Sequence, residues 1–262
     1  MSEESELILK LRKDKIISLL KEGKRIDGRK FDDYRKVSIE TGVIKNAEGS
    51  ARVKLGETEV IAGTKMNVEK PYPDTPNQGS ISVNVELLPL ASPAFETGPP
   101  RADAVELSRV VDRGIRESKT IDFEELCITK GEQAWTVFID GYVLNYAGNA
   151  FDAMGLAAMA ALLETKVPKL EDKKIIRKEY SGALKTSRKP ILCSFAKIGN
   201  YIVADPGLSE ELVSSARFHI ATTEDDLICA CQKAGQGAFT ENEVISIAET
   251  AFRKAKELRK LL

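Results

Sequence analysis

Apolar positions recur along this chain with two different periods, and the changes of period mark out its elements. In "SARVKLGETEVIAGTKMNVE" (residues 50–69) apolar and polar residues alternate on both sides of Gly56-Glu57, which predicts two strands joined by a tight hairpin. "GSISVNVELLPL" (79–90) predicts another strand, ended at Pro89, and "AWTVFIDGYVLNY" (134–146) a long one. The Pro- and Gly-rich stretches "KPYPDTPNQGS" and "ASPAFETGPPR" are loops. Helical spacing takes over in "ADAVELSRVVDRGIRESK" (102–119), where Asp103 and Glu106 are arranged as a capping signal. "NAFDAMGLAAMAALLETK" (149–166) is so rich in Ala and Gly that it predicts a closely packed, buried helix, with Pro168 stopping it shortly afterwards.

A polar, basic-leaning connector, "KVPKLEDKKIIRKEYSGALKTSRKP", leads into a second half that repeats the order in shorter form. The strands "ILCSFAKI", "YIVADP", "ARFHIATT" and "DLICACQKAG" precede a final helix from Glu241. Thr240 and Glu243 form a capping box there, and the apolar stripe runs Val244, Ile247, Ala248, Ala251, Ala255, Leu258. At the other end, "MSEESELILKLRKDKIISLLKEGK" carries apolar residues at Leu7, Leu11, Ile16, Leu19 and Leu20. It reads as a surface helix and not as a signal peptide. Groups of mostly antiparallel strands followed by helices predict an α+β protein, four-layered or two-lobed.

Composition narrows the chemistry. The chain has 262 residues, 42% of them hydrophobic, and 39 Lys and Arg balance 40 Asp and Glu, so any basic surface must be local. No apolar run approaches membrane-spanning length, and a cytoplasmic protein with no membrane partner is expected. Cys127, Cys193, Cys229 and Cys231 form no C-x-x-C pair, and His219 is the one histidine, which disfavours a zinc site and Ser-His or Cys-His catalysis. Cys229 and Cys231, two apart on a strand, read as small packing residues on one side. No phosphate-binding glycine loop is present.

Two features are candidates for function. Arg109, Arg113 and Arg116 lie at i, i+4 and i+7 on one helix face, a line that matches an extended phosphate backbone. The residues alone favour intrahelical pairing, Asp112 with Arg116 and Arg113 with Glu117. Asp205 ends a strand before Pro206 and Gly207, a common place to hold a metal or a proton. Aromatic residues suited to base stacking are few, with Tyr72 the one exposed candidate.

Long runs of the sequence resemble the RNase PH family of phosphate-dependent 3′→5′ exoribonucleases. The resemblance is carried by "RIDGRKFDDYR", "GSARVKLGETEVIAGTK" and "VLNYAGNAFDAMGLAAMAAL", and in detail by "PYPDTPNQGSISVNVELLPLASPAFETGPPR" and "LSRVVDRGIRES". The last two resemble the non-catalytic RNase PH-like ring subunits of the archaeal exosome. This implies an RNase PH fold of two βαβα-type repeats, packed as mixed sheets with helices. Residues 1–23 would be an N-terminal helix, 24–168 the first repeat, 169–190 a connector and 191–262 the second repeat. It further implies a non-catalytic chain with no cofactor, metal or catalytic residue of its own. Such a chain alternates with a catalytic sister in a hexameric ring, meets RNA-binding cap subunits, and binds single-stranded RNA through Arg109, Arg113 and Arg116. By the same resemblance the phosphate-holding arginine of active members falls at Gln133-Ala134-Trp135. One of two aspartates falls at Asp205, and its partner is replaced at Gly199 or Asn200. The rival expectation is an active homohexameric phosphorolytic enzyme.

Overall fold

The computed structural model describes residues 3–171 and 174–262, with side chains from residue 11 onward, so the Leu7 side chain lies outside the described residues. Helix α1 (Glu3–Lys21) and an irregular segment precede β1 (Val37–Thr41), the hairpin β2 (Gly49–Leu55) and β3 (Thr58–Glu69), and β4 (Ser80–Leu87). Then come α2 (Ala102–Glu117), β5 (Cys127–Thr129), β6 (Gln133–Asn145) and α3 (Ala150–Glu164). A hairpin of β7 (Lys166–Glu171) and β8 (Lys174–Ala183) leads to β9 (Ile191–Ile198), β10 (Tyr201–Ala204), α4 (Leu208–Val213), β11 (Ala216–Thr222), β12 (Ile228–Ala234) and α5 (Glu241–Arg259).

The first sheet runs β1-β2-β3-β6-β4, with β5 also on β6, and is mixed because β4 lies parallel to β6. The second runs β10-β9-β11-β12 and is antiparallel throughout. Strand β9 shows how the layers stack. Ser194 Oγ bonds Asp152 of α3, whereas Cys193 Sγ contacts the Ala251 carbonyl and Lys197 Nζ bonds Glu243, both of α5. Alternate side chains therefore enter opposite helical layers, and the order is sheet, α2 with α3, sheet, α5. A separate apolar cluster docks α1: Ile16 and Leu20 pack on Ala196, Ile198, Val203 and Val213.

Enclosed between the sheets, α3 is apolar on every side beyond Asp152 in its first turn, with Ala153, Ala157, Ala158 and Ala161 fully buried. Its small residues let β2 come so close that a Cβ on Gly49 would stand 2.3 Å from the Ala161 carbonyl oxygen. Mixed and antiparallel sheets with flanking helices and an N-terminal helix match the expected α+β class.

The structure differs from the sequence reading at several places. The stretch read as connector pairs as β7 and β8. Almost all of β8 is exposed, so no buried face imprints alternation on it. Pro168 sits inside β7; α3 has already ended at Glu164. Helix α2 begins with Arg101 as N-cap and no side-chain cap bond, because Asp103 already lies in the first turn, where it can only favour the helix dipole. A bulge opposite Ala221 breaks the alternation of β12, so the two thiols separate: Cys229 Sγ lies 3.3 Å from the Ala221 carbonyl and 3.6 Å from that of Gly114, while Cys231 is exposed.

Candidate nucleic-acid interface

Helix α2 is held by its buried face, Ala104, Leu107, Val110, Val111 and Ile115, and by one polar pin. Ser108 Oγ donates to the Ala104 carbonyl at 2.8 Å and accepts from Val85 N of β4 at 2.9 Å. The opposite face carries the arginines, and they divide. Arg116 is half-buried: its guanidinium donates to both Asp112 oxygens at 2.8 and 2.9 Å and to the Ile81 carbonyl at 2.8 Å. It also lies over the Phe123 ring, and the hydrogen bond to Asp112 raises its pKa.

Arg109 and Arg113 are exposed, and among the described residues neither forms an ion pair; the expected Arg113–Glu117 pair is absent. One helical turn apart, about 6 Å along the axis, they stand between two grooves. A cavity of about 420 Å³ lies toward the second sheet, walled by Glu106, Leu192, His219 and Gln232. A shallower groove lies toward Ile81–Val83 of β4. Two unpaired guanidiniums at this step present forked donors to phosphate oxygens with no internal partner to displace.

Asp205 is far from open. It is fully buried with φ +46°, and its carboxylate accepts from Arg29 Nη1 (2.9 Å), Arg35 N (2.8 Å), Arg35 Nε (2.9 Å), Arg35 Nη2 (2.6 Å) and Asn149 Nδ2 (2.8 Å). Its backbone carbonyl accepts from Arg25 Nη2 at 2.9 Å, and Arg25 forms a buried pair with Glu210. Asp205 therefore fastens a clasp in which "RIDGR" supplies Arg25 and Arg29, oriented by the Gly28 turn at φ +82°. Gly148, at φ +93°, lets the turn before α3 press against Pro206 and Gly207, where a Cβ would meet backbone at 2.4 Å. Two other carboxylates nearby are pushed up by burial: Asp152 to about 6, and Glu211, which accepts from Tyr146 Oη and Asn149 N.

The active-site positions inferred from the resemblance do not converge. Ala134 pairs with Glu69 at the start of β6, whereas the Asn149 that touches Asp205 follows its far end. At about 3.4 Å per residue the two ends of β6 are roughly 40 Å apart. Gly199 is the turn of the β9–β10 hairpin, packed near Ile17 of α1, at the opposite end of β10 from Asp205. No single site is formed from 134, 199 and 205. The Asp205 carboxylate is enclosed, with arginine, asparagine and backbone donors on both of its oxygens. Among the described residues no group of three His, Cys, Asp or Glu side chains is placed to hold a metal ion.

His219 sits in β11, as a strand residue, with 1% exposure; burial pushes its pKa down to about 3, so it is neutral. The clasp is what sequence reasoning missed. Its one signal was the arginine spacing in "RIDGRKFDDYR", whose partner lies some 170 residues away.

Comparison with known proteins agrees with this architecture. Residues 33–168 match the 3′ exoribonuclease family, domain 1, and residues 189–254 match its domain 2. The chain is 50% identical to the exosome complex component Rrp42 of Pyrococcus abyssi, over 99% of this chain and 96% of that protein. To the protein of the same name from Methanothermobacter thermautotrophicus it is 48% identical, over 98% and 96%. A subunit in the Archaeoglobus fulgidus exosome with RNA bound to the active site superposes with a TM-score of 0.91 at 43% identity, covering 97% of this chain and 98% of that one. Rice Rrp46, at 16% identity and a TM-score of 0.68, shares the fold. With both domain models matched in order across most of its length, the chain belongs to the 3′ exoribonuclease, or RNase PH, family.

Proposed function

We propose that this chain is a non-catalytic structural and RNA-binding subunit of an archaeal-type exosome ring. It alternates with a catalytic RNase PH-like sister in a hexamer, completes the ring, helps shape the sister's active site and grips the RNA entering it. RNA-binding cap subunits are further partners, and the cytoplasm is its place of action. The similarity to exosome components over nearly the whole chain supports the setting. The observation that carries the division of labour is the contrast on the chain itself: Asp205 is saturated, while Arg109 and Arg113 are exposed and, among the described residues, unpaired.

Phosphorolysis brings an anionic phosphate against an anionic phosphodiester, so the reacting pair needs cationic groups aimed at it. Around Asp205 the guanidiniums are already committed to a carboxylate. The arginines left for RNA are on α2, where they hold the strand by its phosphates without regard to base. Arg116, tied to Asp112 and Ile81, supports that line from behind.

The test is incubation of the purified chain with single-stranded RNA and inorganic phosphate, alone and with its sister. The chain alone is expected to release no nucleoside diphosphates, and the mixed ring to release them steadily. Robust release by the chain alone would establish the homohexameric enzyme instead.

A further inference from the structure

Helix α2 lies against the edge strand β12, and the seam between them holds two polar side chains with capacity to spare. Gln232 pairs directly with His219 of β11, so the two side chains share one face of the sheet. His219 marks that face as the one toward the α2–α3 layer, because its ring stacks on Phe151 of α3. Gln232 therefore points into the 420 Å³ cavity under α2. Glu106 meets it from the helix, three and seven residues before Arg109 and Arg113 and on the same face. Both Glu106 and Gln232 are half-exposed, so a ligand in the cavity reaches them. Gln232 Nε2 stands 3.5 Å from Glu106 Oε1 and 3.4 Å from the Lys233 carbonyl. Two acceptors beside it orient the amide with its nitrogen toward the carboxylate. Contacts of that length are weak, so the amide N–H and both carboxylate oxygens stay free for stronger ones. Side by side they present one donor and then two acceptors. The rest of the wall is apolar, with Val110 and Leu192 inside and the exposed Val105 at the mouth.

We propose that the cavity receives one base of the bound RNA and prefers guanine. The edge of guanine carries O6 as an acceptor, then N1–H and N2–H as donors, which is the complement of the row on the wall. Gln232 Nε2 donates to O6, and the two Glu106 oxygens accept from N1 and N2. Adenine and cytosine match no more than two of the three positions, and uracil sets its O2 against the carboxylate. Bases splayed out of a single strand are read on such edges, and the cavity volume is in the range of small-molecule sites. Arg109 and Arg113 at the rim hold the flanking phosphates whatever the base. The pocket thus adds a preference at one position to a grip that is otherwise indifferent to sequence. This inference rests on the RNA-binding role proposed above and names the base that its cavity reads.

The experiment titrates the assembled ring, in phosphate-free buffer, with oligouridylates that carry a single guanosine at successive positions. At one position guanosine is expected to bind about tenfold tighter than uridine. Inosine there, which lacks the 2-amino group, is expected to keep only part of that advantage. In rings carrying Glu106→Gln or Gln232→Ala the ratio of the two affinities is expected to fall, and in the double variant to reach about one. If no position shows an advantage, or if inosine equals guanosine, the inference is overturned in the wild-type ring alone. An advantage that the double variant keeps is read elsewhere in the ring and overturns it as well. An Arg109→Glu, Arg113→Glu ring that binds the all-uridine strand as tightly as wild type would overturn the RNA-binding role itself. Weakened binding by that ring, with no guanosine advantage in the wild type, would overturn only the base pocket.

Discussion

Two sets of arginines in this molecule have opposite fates. Arg25, Arg29 and Arg35, with side chains 0, 13 and 12% exposed, end on Asp205, Glu210 and nearby carbonyls. Arg109 and Arg113 stand exposed on α2 with no ion pair among the described residues. The difference lies in desolvation. A guanidinium taken out of water needs acceptors to offset the loss of hydration, and it then becomes part of the fold. One left in water keeps its donors free for a phosphate that arrives later. Charge count would not separate the two sets; burial does.

The comparison breaks most visibly at the clasp. Arg35→Ala leaves the Asp205 carboxylate buried with much of its compensation gone and is expected to cost about 3–5 kcal/mol, read from urea unfolding. The double variant Arg35→Ala, Asp205→Ala is expected to cost less than the sum of its parts, because the second change removes the stranded charge. Additive costs would mean that the two groups do not act on one another.

On α2 the expectation inverts. Arg109→Glu with Arg113→Glu is expected to weaken RNA binding by the ring by about 2–3 kcal/mol, equally across sequences, with stability within about 0.5 kcal/mol of wild type. Each lost contact should lower the slope of log affinity against log salt by about 0.7. Titrations at two salt concentrations check this; unaltered affinity and slope would return these arginines to the solvated surface.

A smaller loss, without any charge change, calibrates the clasp. Ala158→Leu overpacks the fully buried face of α3 and is expected to cost about 1–3 kcal/mol by thermal unfolding. The smallest effect belongs to Arg116, whose side chain is 38% exposed. Arg116→Ala is expected to lose about 0.5–1 kcal/mol of stability. It should reduce RNA affinity less than Arg109→Ala or Arg113→Ala does. A larger affinity loss than either would place Arg116 on the RNA and not behind it.

Much of this fold could be read from the sequence because burial writes itself into period. The β2–β3 hairpin alternates around Gly56, β9 falls on Ile191–Ile198 as expected, and α5 starts at Glu241 behind its Thr240–Glu243 capping box. Where burial is weak, the signal is weak. β8 is almost wholly exposed, and α4 is only six residues long. The candidate interface was half legible. Spacing put three arginines on one face, but which of them is free depends on Asp112, Ile81 and the missing Glu117 pair. The site expected around Asp205 failed for a different reason: the resemblance placed Ala134 in it, and β6 carries that residue to the other end of the sheet.

The clasp also has a bearing on how the chain is made. Arg29 and Asp205 are 176 residues apart, and Arg25 and Glu210 are 185 apart. At a synthesis rate of about 5–20 residues per second, the arginines of "RIDGR" are made roughly 10–35 s before their carboxylates. During that interval Arg29 has only its neighbour Asp27, 2.7 Å away in the fold, and the segment that carries Asp205 and Glu210 has not been translated. The two repeats are therefore expected to reach their native state together, after the second has emerged.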